Sequence, residues 1–215
     1  MENLKLAEIR KEYLQGELDE KSVDKNPLIQ FSLWMNDALK AEVLEPTAMV
    51  LATVGKNFKP SARMVLLKGV DDGDFLFFSN YESKKGLQID ENPHVALTFF
   101  WKELERQVRI EGEVEKTSQA ISDDYFKSRP YESRLSAAAS PQSKPVTGRR
   151  ELERLKDELR EQFPDRNFPR PANWGGYRVK PRLIEFWQGR RSRLHDRVVY
   201  ELNSQGVWLI SRLAP

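Results

Sequence analysis

The chain contains no cysteine and only two histidines among its 215 residues. The absence of cysteine excludes disulfide bonds, thiolate metal ligands and cysteine nucleophiles, and it suits a reducing cytoplasm, which is the location we predict. Two histidines without clustered carboxylates predict that there is no metal site. No apolar run reaches the roughly 18 residues of a membrane span, and the polar start at residues 1–5 does not resemble a signal peptide.

The sequence also has little net charge and lacks the glycine motifs of common nucleotide and hydrolase sites. The formal net charge is +2, so no overall field favours nucleic acid, and a basic patch would have to be local. We find no P-loop, no Rossmann fingerprint and no Gly-x-Ser-x-Gly. We therefore expect neither nucleic-acid nor membrane partners, and the length favours one domain over residues 1–215.

The order of helix-like and strand-like segments predicts an α+β fold. Helices are expected at 4–14, from an Asn26–Pro27 cap to about residue 43, and at 83–92, 118–127, 131–139 and 147–163. Strands are expected at 48–54, 62–70, 75–79, 95–101, 107–116, 177–179, 184–187, 194–200 and 207–211. Five of these strands fall within roughly 70 residues and are joined by tight turns, which predicts an antiparallel sheet curling into a barrel.

Residues 185–197 concentrate four arginines, one histidine and one tryptophan. On a strand, alternate side chains share a face, so Arg191, Arg193, His195 and Arg197 would project together. Four such groups repel one another unless an anion lies in front of them, and arginine with histidine suits a planar anionic ligand. The alternative is a solvated edge strand whose charges prevent aggregation.

Two further segments carry residue types that bind phosphate. Arg63 and Lys68 lie at the ends of one predicted strand, about 17 Å apart and on opposite faces, which suits two anionic groups better than one. Ser79 and the lysine pair Lys84 and Lys85 lie where a strand leads into a helix, which favours a phosphate cradle. Solvated strand ends and a solvated helix face are the alternatives.

A third candidate lies on the next helices. Tyr125 and Arg129 are one helical turn apart, and Ser133 follows just beyond Pro130. A phenol, a guanidinium and a hydroxyl are good phosphate ligands. The small-residue loop around Gln142 and Ser143 offers two more polar groups.

In order and spacing, these motifs resemble the pyridoxine (pyridoxamine) 5′-phosphate oxidase family from about residue 10 to residue 215. The most specific pair is Phe-Trp-Gln-Gly at 186–189 followed by Arg-Leu-His-Asp-Arg at 193–197. The others are Arg-Met-Val-Leu-Leu-Lys at 63–68, Phe-Phe-Ser-Asn at 77–80, Ser-Lys-Lys at 83–85, Leu-Glu-Arg-Gln-Val at 104–108, Tyr125 with Ser-Arg-Pro at 128–130, Ser-Pro-Gln-Ser at 140–143, Trp-Gly-Gly at 174–176 and the closing Arg-Leu-Ala-Pro.

The resemblance implies an FMN-binding split β-barrel, antiparallel and Greek-key-like, with flanking helices. It implies a homodimer with FMN at the subunit interface. The implied reaction oxidises pyridoxine 5′-phosphate or pyridoxamine 5′-phosphate at C4′ to pyridoxal 5′-phosphate, with hydride passing to the flavin and O₂ reoxidising it to give hydrogen peroxide. The alternatives are another split-barrel flavin oxidase of the phenazine-biosynthesis type, or a non-catalytic module that binds pyridoxal phosphate or another anion.

The resemblance also assigns residues by position. The implied FMN contacts are Arg63, Met64, Val65, Leu66, Leu67, Lys68, Phe78, Ser79, Lys84, Lys85, Gln107, Gln142, Ser143, Trp187 and Arg197. The implied substrate contacts are Lys68, Tyr125, Arg129 and Ser133 at the phosphate, the catalytic pair Arg193 and His195 near the reacting carbon, and Arg10 and Tyr13 on a mobile N-terminal arm of residues 1–25.

The chain departs from the family pattern at two places. Lys84 stands where arginine is expected, which keeps the charge but loses a bidentate donor. The segment 136–139 is Ser-Ala-Ala-Ala in place of a more usual Gly-Ala-Trp-Ala, which predicts a looser wall before Gln142. Whether His195 acts as a base or only positions the substrate stays open at this level.

Overall fold

The computed structural model describes residues 12–215. The predicted site residue Arg10 and most of the predicted helix at 4–14 lie outside that part, and residues 12–14 are not helical. In chain order, the helices are α1 (Pro27–Lys40), α2 (Lys84–Glu91), α3 (Gln119–Ser128), α4 (Tyr131–Ala139) and α5 (Arg149–Gln162). None of these helices has both the length and the apolar character that a bilayer crossing requires.

Within residues 12–215, nine strands join one sheet, which confirms the predicted α+β class. They are β1 (Ala48–Val54), β2 (Pro60–Leu66), β3 (Gly69–Asp71), β4 (Asp74–Asn80), β5 (His94–Trp101), β6 (Arg106–Lys116), β7 (Trp174–Gln188), β8 (Asp196–Leu202) and β9 (Trp208–Arg212). Their hydrogen-bonded order is β2-β1-β5-β6-β7-β4-β3, and β8 pairs with β7 and β9. The pairs β1–β2, β3–β4, β4–β7, β7–β8 and β8–β9 are antiparallel.

The described chain divides into two compact units, and β5, β6 and β7 contribute residues to both. The first unit comprises residues 12–46, 98–110 and 182–215. Its core is aromatic: Phe31 of α1 packs against Phe99 with ring centroids 5.3 Å apart, and Trp34 meets Phe186 edge-on at 5.1 Å. The helix that carries both side chains begins as predicted, because the Asn26 side chain accepts the N–H of Leu28 at 2.9 Å ahead of Pro27.

The second unit comprises residues 47–97 and 111–181. It holds β1–β4, the helices α2–α5 and a buried cluster of Phe126, Leu135, Phe168 and Trp174. Leu159 of α5 and Phe163, which follows that helix, pack against this cluster. Because α3, α4 and α5 all contribute to one core, the side chains that they present toward β4 and β7 are held in place.

The structure corrects the strand predicted at 62–70. That segment forms two strands, since Leu67 donates its N–H to the Thr47 carbonyl at 2.9 Å while Lys68 donates to the Leu76 carbonyl at 2.8 Å. The chain therefore leaves its pairing with β1 and joins β4. Arg63 and Lys68 do not share one strand, so the argument that placed them on its opposite faces was wrong.

Two other predicted boundaries were also wrong. The strands expected at 177–179 and 184–187 are parts of the single 15-residue strand β7. The strand expected at 194–200 begins only at Asp196, because residues 191–193 form a 3-10 turn in which Ser192 and Arg193 have φ of 54° and 62°. Left-handed backbone cannot alternate side chains as a strand does, so the predicted common face of Arg191, Arg193, His195 and Arg197 does not exist.

Candidate active site

A buried lysine forms the centre of a polar group in the second unit. Lys85 Nζ donates to Ser79 Oγ and Ser83 Oγ, both at 2.9 Å, and to Gln142 Oε1 at 3.2 Å. All three acceptors are neutral oxygens. Burial, and next the charge of Arg63, lower the pKa of Lys85 from 10.5 to about 8. We call Lys85, Ser79, Ser83, Gln142 and Arg63 the anion cradle, since a phosphate would supply the missing negative charge.

The local fold explains why Lys85 is buried. Ser83 caps α2, and its side chain accepts the N–H of Gly86. A Cβ at position 86 would lie 2.0 Å from the Tyr81 carbonyl oxygen. Glycine at this position therefore lets the first turn of α2 approach the chain after β4, which brings Lys85 beside Ser79.

Arg63 is held by a separate set of neutral groups. Its guanidinium donates to Thr53 Oγ1 at 2.7 Å, to Ser61 Oγ at 2.6 Å and to the Leu51 carbonyl at 3.1 Å. Gln88 Oε1 in turn accepts from Thr53 and Ser61, at 2.8 and 2.6 Å. Burial lowers the pKa of Arg63. These contacts orient a cation without neutralising it.

Another cation of this unit, Arg129, has one nitrogen without any hydrogen-bond partner among residues 12–215. Arg129 lies just after α3, and its guanidinium carbon sits 4.8 Å from the centroid of the Trp174 ring. Its Nη1 is buried and has no hydrogen-bond partner among residues 12–215. Burial is the main cause that lowers the pKa of Arg129, and the Tyr125 hydroxyl partly opposes it. A buried donor without a partner costs roughly 1–3 kcal/mol, so this nitrogen is suited to an incoming oxygen ligand.

Stacked rings hold Arg129 and Tyr125 in place. Phe78 stacks on Tyr125 with centroids 3.7 Å apart, and Tyr125 lies parallel to Trp174 at 6.2 Å. Phe78 is paired with Gly176 across β4 and β7. A Cβ at Gly176 would lie 2.8 Å from the Phe78 ring, so the glycine leaves room for this stack.

One pocket of about 530 Å³ joins these two groups of side chains. It is lined by Ser79 and Gln142 from the anion cradle and by Arg129 and Ser133 from the helical side, together with Phe78, Asn80, Glu132, Ser136, Ala137, Ser140 and Trp174. Ser136 and Ala137 belong to the segment whose small residues predicted a looser wall. The pocket has the size of a small-molecule site, and most of the residues that line it are polar or charged.

The first unit contains a different constellation around Trp187. The ring of His195 lies 4.8 Å from that of Trp187, and Tyr13 meets both rings at 5.7 Å. A Cβ on Gly189 would lie 2.7 Å from Tyr13 Cγ. The Trp-Gln-Gly motif therefore supplies both a ring and the space that Tyr13 needs.

Arg197 is paired with a buried carboxylate in the first unit. It lies opposite Trp187 in the β7–β8 register. Its Nε donates to Glu185 Oε1 at 2.7 Å, and the other carboxylate oxygen pairs with Arg109 at 3.0 Å. The Glu185 hydrogen bond is the main cause that raises the pKa of Arg197. Glu185 fixes the direction of Arg197, a role that the sequence analysis missed although a carboxylate in the apolar run 184–187 marked it.

Residues 14–24 lie in irregular chain that is tied down at many points. Glu105 accepts the N–H groups of Leu14 and Gln15, at 2.8 and 3.1 Å. Tyr200 donates its hydroxyl to the Asp24 carbonyl at 2.7 Å. Arg212 reaches Glu20, the Leu18 carbonyl and Asp196. The mobility predicted for residues 1–25 stays a prediction, and these contacts locate the anchor of such an arm.

The remaining predicted contacts are less tightly placed. Lys68, Lys84, Arg193 and Ser143 are exposed, and Gln107 is half-buried near the start of β6. On β2, Met64 and Leu66 point outward while Arg63 and Val65 are partly covered, and Leu67 is buried after the strand. Ser83, Gln88 and Trp174 also orient the cations, although the sequence did not predict this role for them. Ser83, as a helix cap, and Trp174, beside its glycine pair, carried a local signal.

Two family profiles and several relatives match this chain. The family profile described as pyridoxamine 5′-phosphate oxidase matches residues 35–163, and that of the pyridoxine 5′-phosphate oxidase C-terminal dimerisation region matches residues 174–215. A pyridoxine/pyridoxamine 5′-phosphate oxidase of a Cyanothece species is 54% identical over 99% of both chains. One from Bordetella pertussis is 53% identical over 99% of this chain and all of its own.

Solved structures share the fold and so confirm the predicted split-barrel class. PhzG from Burkholderia lata, solved with tetrahydrophenazine-1-carboxylic acid, aligns with a TM-score of 0.87 at 27% identity over 94% of this chain and 99% of its own. An FMN-binding protein from Nostoc punctiforme aligns with a TM-score of 0.70 at 17% identity over 86% and 97%. With profiles that cover most of its length and relatives above 50% identity, the chain belongs to the pyridoxine/pyridoxamine 5′-phosphate oxidase family.

Proposed function

We propose that the chain is an FMN-dependent oxidase that converts pyridoxine 5′-phosphate or pyridoxamine 5′-phosphate to pyridoxal 5′-phosphate. The observation that carries this proposal is one pocket whose two sides lead to the cations Lys85 and Arg129. Neither cation has a carboxylate partner among residues 12–215. Ser79 and Gln142 lead to buried Lys85 on one side, and Arg129 has an unpartnered buried nitrogen on the other. FMN and the vitamer each bring one phosphate, so two separate cationic groups match two ligands.

The residues of the anion cradle fit the FMN phosphate. Lys85 and Arg63 are oriented by neutral oxygens and supply charge, while Ser79, Gln142 and the neighbouring Ser143 supply polar groups. Met64 to Lys68, Phe78, Lys84, Gln107, Trp187 and Arg197 complete the proposed flavin contacts. When bound, FMN supplies the acceptor for the hydride from C4′, and O₂ is the final acceptor that yields hydrogen peroxide.

The helical side of the pocket fits the phosphate of the vitamer. Arg129 and Ser133 line the pocket there, Tyr125 stacks on Phe78 beside them, and Lys68 adds an exposed charge from the segment after β2. Arg193 and His195 orient the pyridine ring, and Tyr13, with Arg10, covers it. Because hydride transfer demands close approach of two bound molecules, positioning by these side chains supplies much of the rate.

We further propose a homodimer with the flavin at the subunit interface, in the cytoplasm. The C-terminal dimerisation profile supports the dimer. The outward face of β2 supports it as well, since Met64 is 60% and Leu66 38% exposed in the single chain. An apolar strand face of this kind is expected to be covered by a partner.

Anaerobic titration of the purified protein with each vitamer tests the function. We expect a yellow protein whose flavin absorbance bleaches on adding pyridoxine or pyridoxamine 5′-phosphate, but not with unphosphorylated pyridoxine at the same concentration. Bleaching by a reduced phenazine precursor and by neither vitamer would assign the chain to the phenazine-type oxidases. A colourless protein that does not take up added FMN would leave only a non-catalytic binding module.

Arg193→Ala tests the positioning of the substrate, with Arg191→Ala as its matched control on the same exposed turn. We expect Arg193→Ala to slow flavin reduction by roughly 10- to 100-fold while FMN stays bound, because a lost charged hydrogen bond is worth about 1.5–3 kcal/mol. Arg191→Ala should reduce the flavin at the wild-type rate in stopped-flow measurements. Equal rates in all three proteins would remove Arg193 from the site.

A further inference from the structure

The two nitrogens of His195 have different surroundings. The backbone N–H of Arg190 donates to His195 Nδ1 at 3.0 Å. A nitrogen that accepts a hydrogen bond presents its lone pair and carries no proton. In the neutral ring the proton must then be on Nε2, which no hydrogen bond among residues 12–215 uses.

The backbone donor is fixed by the turn at residues 191–193. Ser192 and Arg193 adopt left-handed φ, and the N–H of Leu194 closes the turn on the Arg191 carbonyl at 3.2 Å. The Arg190 side chain is anchored to the Gly16 carbonyl at 2.8 Å and to Glu17 at 2.9 Å. The turn thus points one peptide N–H at the imidazole.

The ring that receives this bond is also held. Trp187 and Tyr13 pack against it, and neither brings a charge. The charged neighbours are Arg193 and Arg190, with Asp196 as the opposing carboxylate. Burial, and next Arg193, lower the pKa of His195, while Asp196 partly raises it. Protonation would also set an Nδ1–H against the Arg190 N–H, so the packing favours the neutral ring.

We propose that the Arg190 backbone locks His195 as its Nε2–H tautomer, so that His195 serves the oxidation as a hydrogen-bond donor that orients the substrate and not as a general base. A base must accept a proton on a free lone pair. In His195 the Nδ1 lone pair is engaged and Nε2 already holds a proton. The tautomer stands on the geometry alone, whereas its role in the oxidation rests on the proposed function.

Nitrogen NMR of the FMN-loaded protein labelled with ¹⁵N-histidine tests the tautomer directly. The chain has only His94 and His195, and His195→Gln identifies which set of signals belongs to which ring. We expect a pyridine-like Nδ1 and a pyrrole-like Nε2 for His195 at pH 7–8, beside averaged signals for exposed His94. A protonated Nδ1, or averaged signals for His195, would overturn the proposal whether or not the protein oxidises any vitamer.

Flavin-reduction rates test the role. The amide nitrogen of glutamine can replace the Nε2–H donor, whereas that of asparagine lies near the Nδ1 position. We expect His195→Gln to reduce the flavin about tenfold faster than His195→Asn, the worth of one hydrogen bond. A general base would instead lose roughly 10²- to 10⁴-fold in both variants.

The pH dependence provides a second measurement of the same role. Protonation keeps the Nε2–H and removes only the bond from the Arg190 N–H, so the decline in reduction rate at low pH should differ by no more than a few-fold between wild type and His195→Gln. A decline of tenfold per pH unit that is present in wild type and absent from His195→Gln would show that a basic imidazole is required. If neither vitamer reduces the flavin at all, the proposed function fails while the tautomer measurement still stands.

Discussion

The two units treat their buried and half-buried cations in opposite ways. In the first unit, Arg197 pairs with Glu185 at 2.7 Å and Arg106 pairs with Asp37 at 2.8 Å. In the second unit, Lys85 donates only to neutral oxygens, and Arg129 leaves a buried nitrogen unpartnered among residues 12–215. The second unit does use carboxylates elsewhere, for example between Arg170 and Asp123 at 2.7 Å.

This contrast separates cations that stabilise the fold from cations that are available to bind an anionic ligand. A paired arginine is neutralised before any ligand arrives, so it adds little net charge to a ligand contact and mainly positions chain segments. A buried cation without a counter-charge destabilises the empty protein, and an anionic ligand recovers that energy on binding. The comparison therefore predicts which substitutions change ligand affinity and which change stability.

The strongest test of the comparison is Lys85→Met. If Lys85 contacts the FMN phosphate as proposed, its removal should weaken FMN binding by roughly 10- to 100-fold, since hydrogen bonds to charged groups are worth about 1.5–3 kcal/mol. The ligand-free protein should not lose stability, because the buried ammonium has no counter-charge. FMN fluorescence quenching gives the affinity, and thermal unfolding gives the stability.

Lys84→Met is the matched control, one residue away on the exposed side of α2. We expect it to lose no more than a few-fold in FMN affinity, because an exposed charge is screened by solvent. Equal losses in the two variants would mean that burial does not distinguish the two lysines, and the contrast between the units would lose its main support.

Local sequence predicted the parts of this site that depend on neighbours in the chain. The Asn26–Pro27 cap and the Ser83 cap were recognisable because capping uses residues within one helical turn. The left-handed turn at 191–193 was not recognisable, since Ser192 and Arg193 stand at positions of positive φ where glycine is the usual residue. The break after Leu66 was equally hidden, because it depends on which strand the chain pairs with next.

The contacts that orient the cations could not be predicted from the sequence, because they join residues that are far apart in the chain. Gln142 reaches Lys85 across 57 positions of the chain, and Gln88 orients Arg63 through the hydroxyls of Thr53 and Ser61. Such contacts require the packing of α2 and the register of β1 with β2. The resemblance supplied the ligand contacts by position, but it did not show which of the cations are buried.

Arg129→Ala should distinguish the binding site of the vitamer phosphate from that of the FMN phosphate. We expect the KM for either phosphorylated vitamer to rise roughly 10- to 100-fold, because the vitamer phosphate would lose the buried donor proposed for it. The affinity for FMN should stay within a few-fold, and Lys68→Ala should act in the same direction but less, since Lys68 is exposed. Steady-state kinetics and FMN titration measure the two effects. If FMN were lost as strongly as the vitamer, both groups would serve one ligand.

Glu185→Gln addresses the opposite half of the comparison. The amide keeps the shape but removes the charge that faces Arg197 and Arg109, so we expect unfolding to become easier by about 1–3 kcal/mol. Glu201→Gln on exposed β8 surface is the control and should change stability by less than about 0.5 kcal/mol. A drop in melting temperature of the first variant alone, with FMN affinity nearly unchanged, would support the division. Wild-type stability of both variants would refute a structural role for Glu185.

The pH dependence of FMN binding gives the smallest effect and the most specific one. Lys85 has a pKa of about 8 in the ligand-free protein, and a bound phosphate favours its charged form. FMN affinity should therefore fall as pH rises above about 8, by at most tenfold per pH unit, since one proton is coupled to binding.

The stability of the ligand-free protein should instead rise with pH in the same range. The folded pKa lies below the ordinary value of 10.5, so folding releases a proton in that window and stability rises with pH. Lys85→Met should abolish both slopes, and a slope in FMN affinity that survives in this variant would assign the titration to another group.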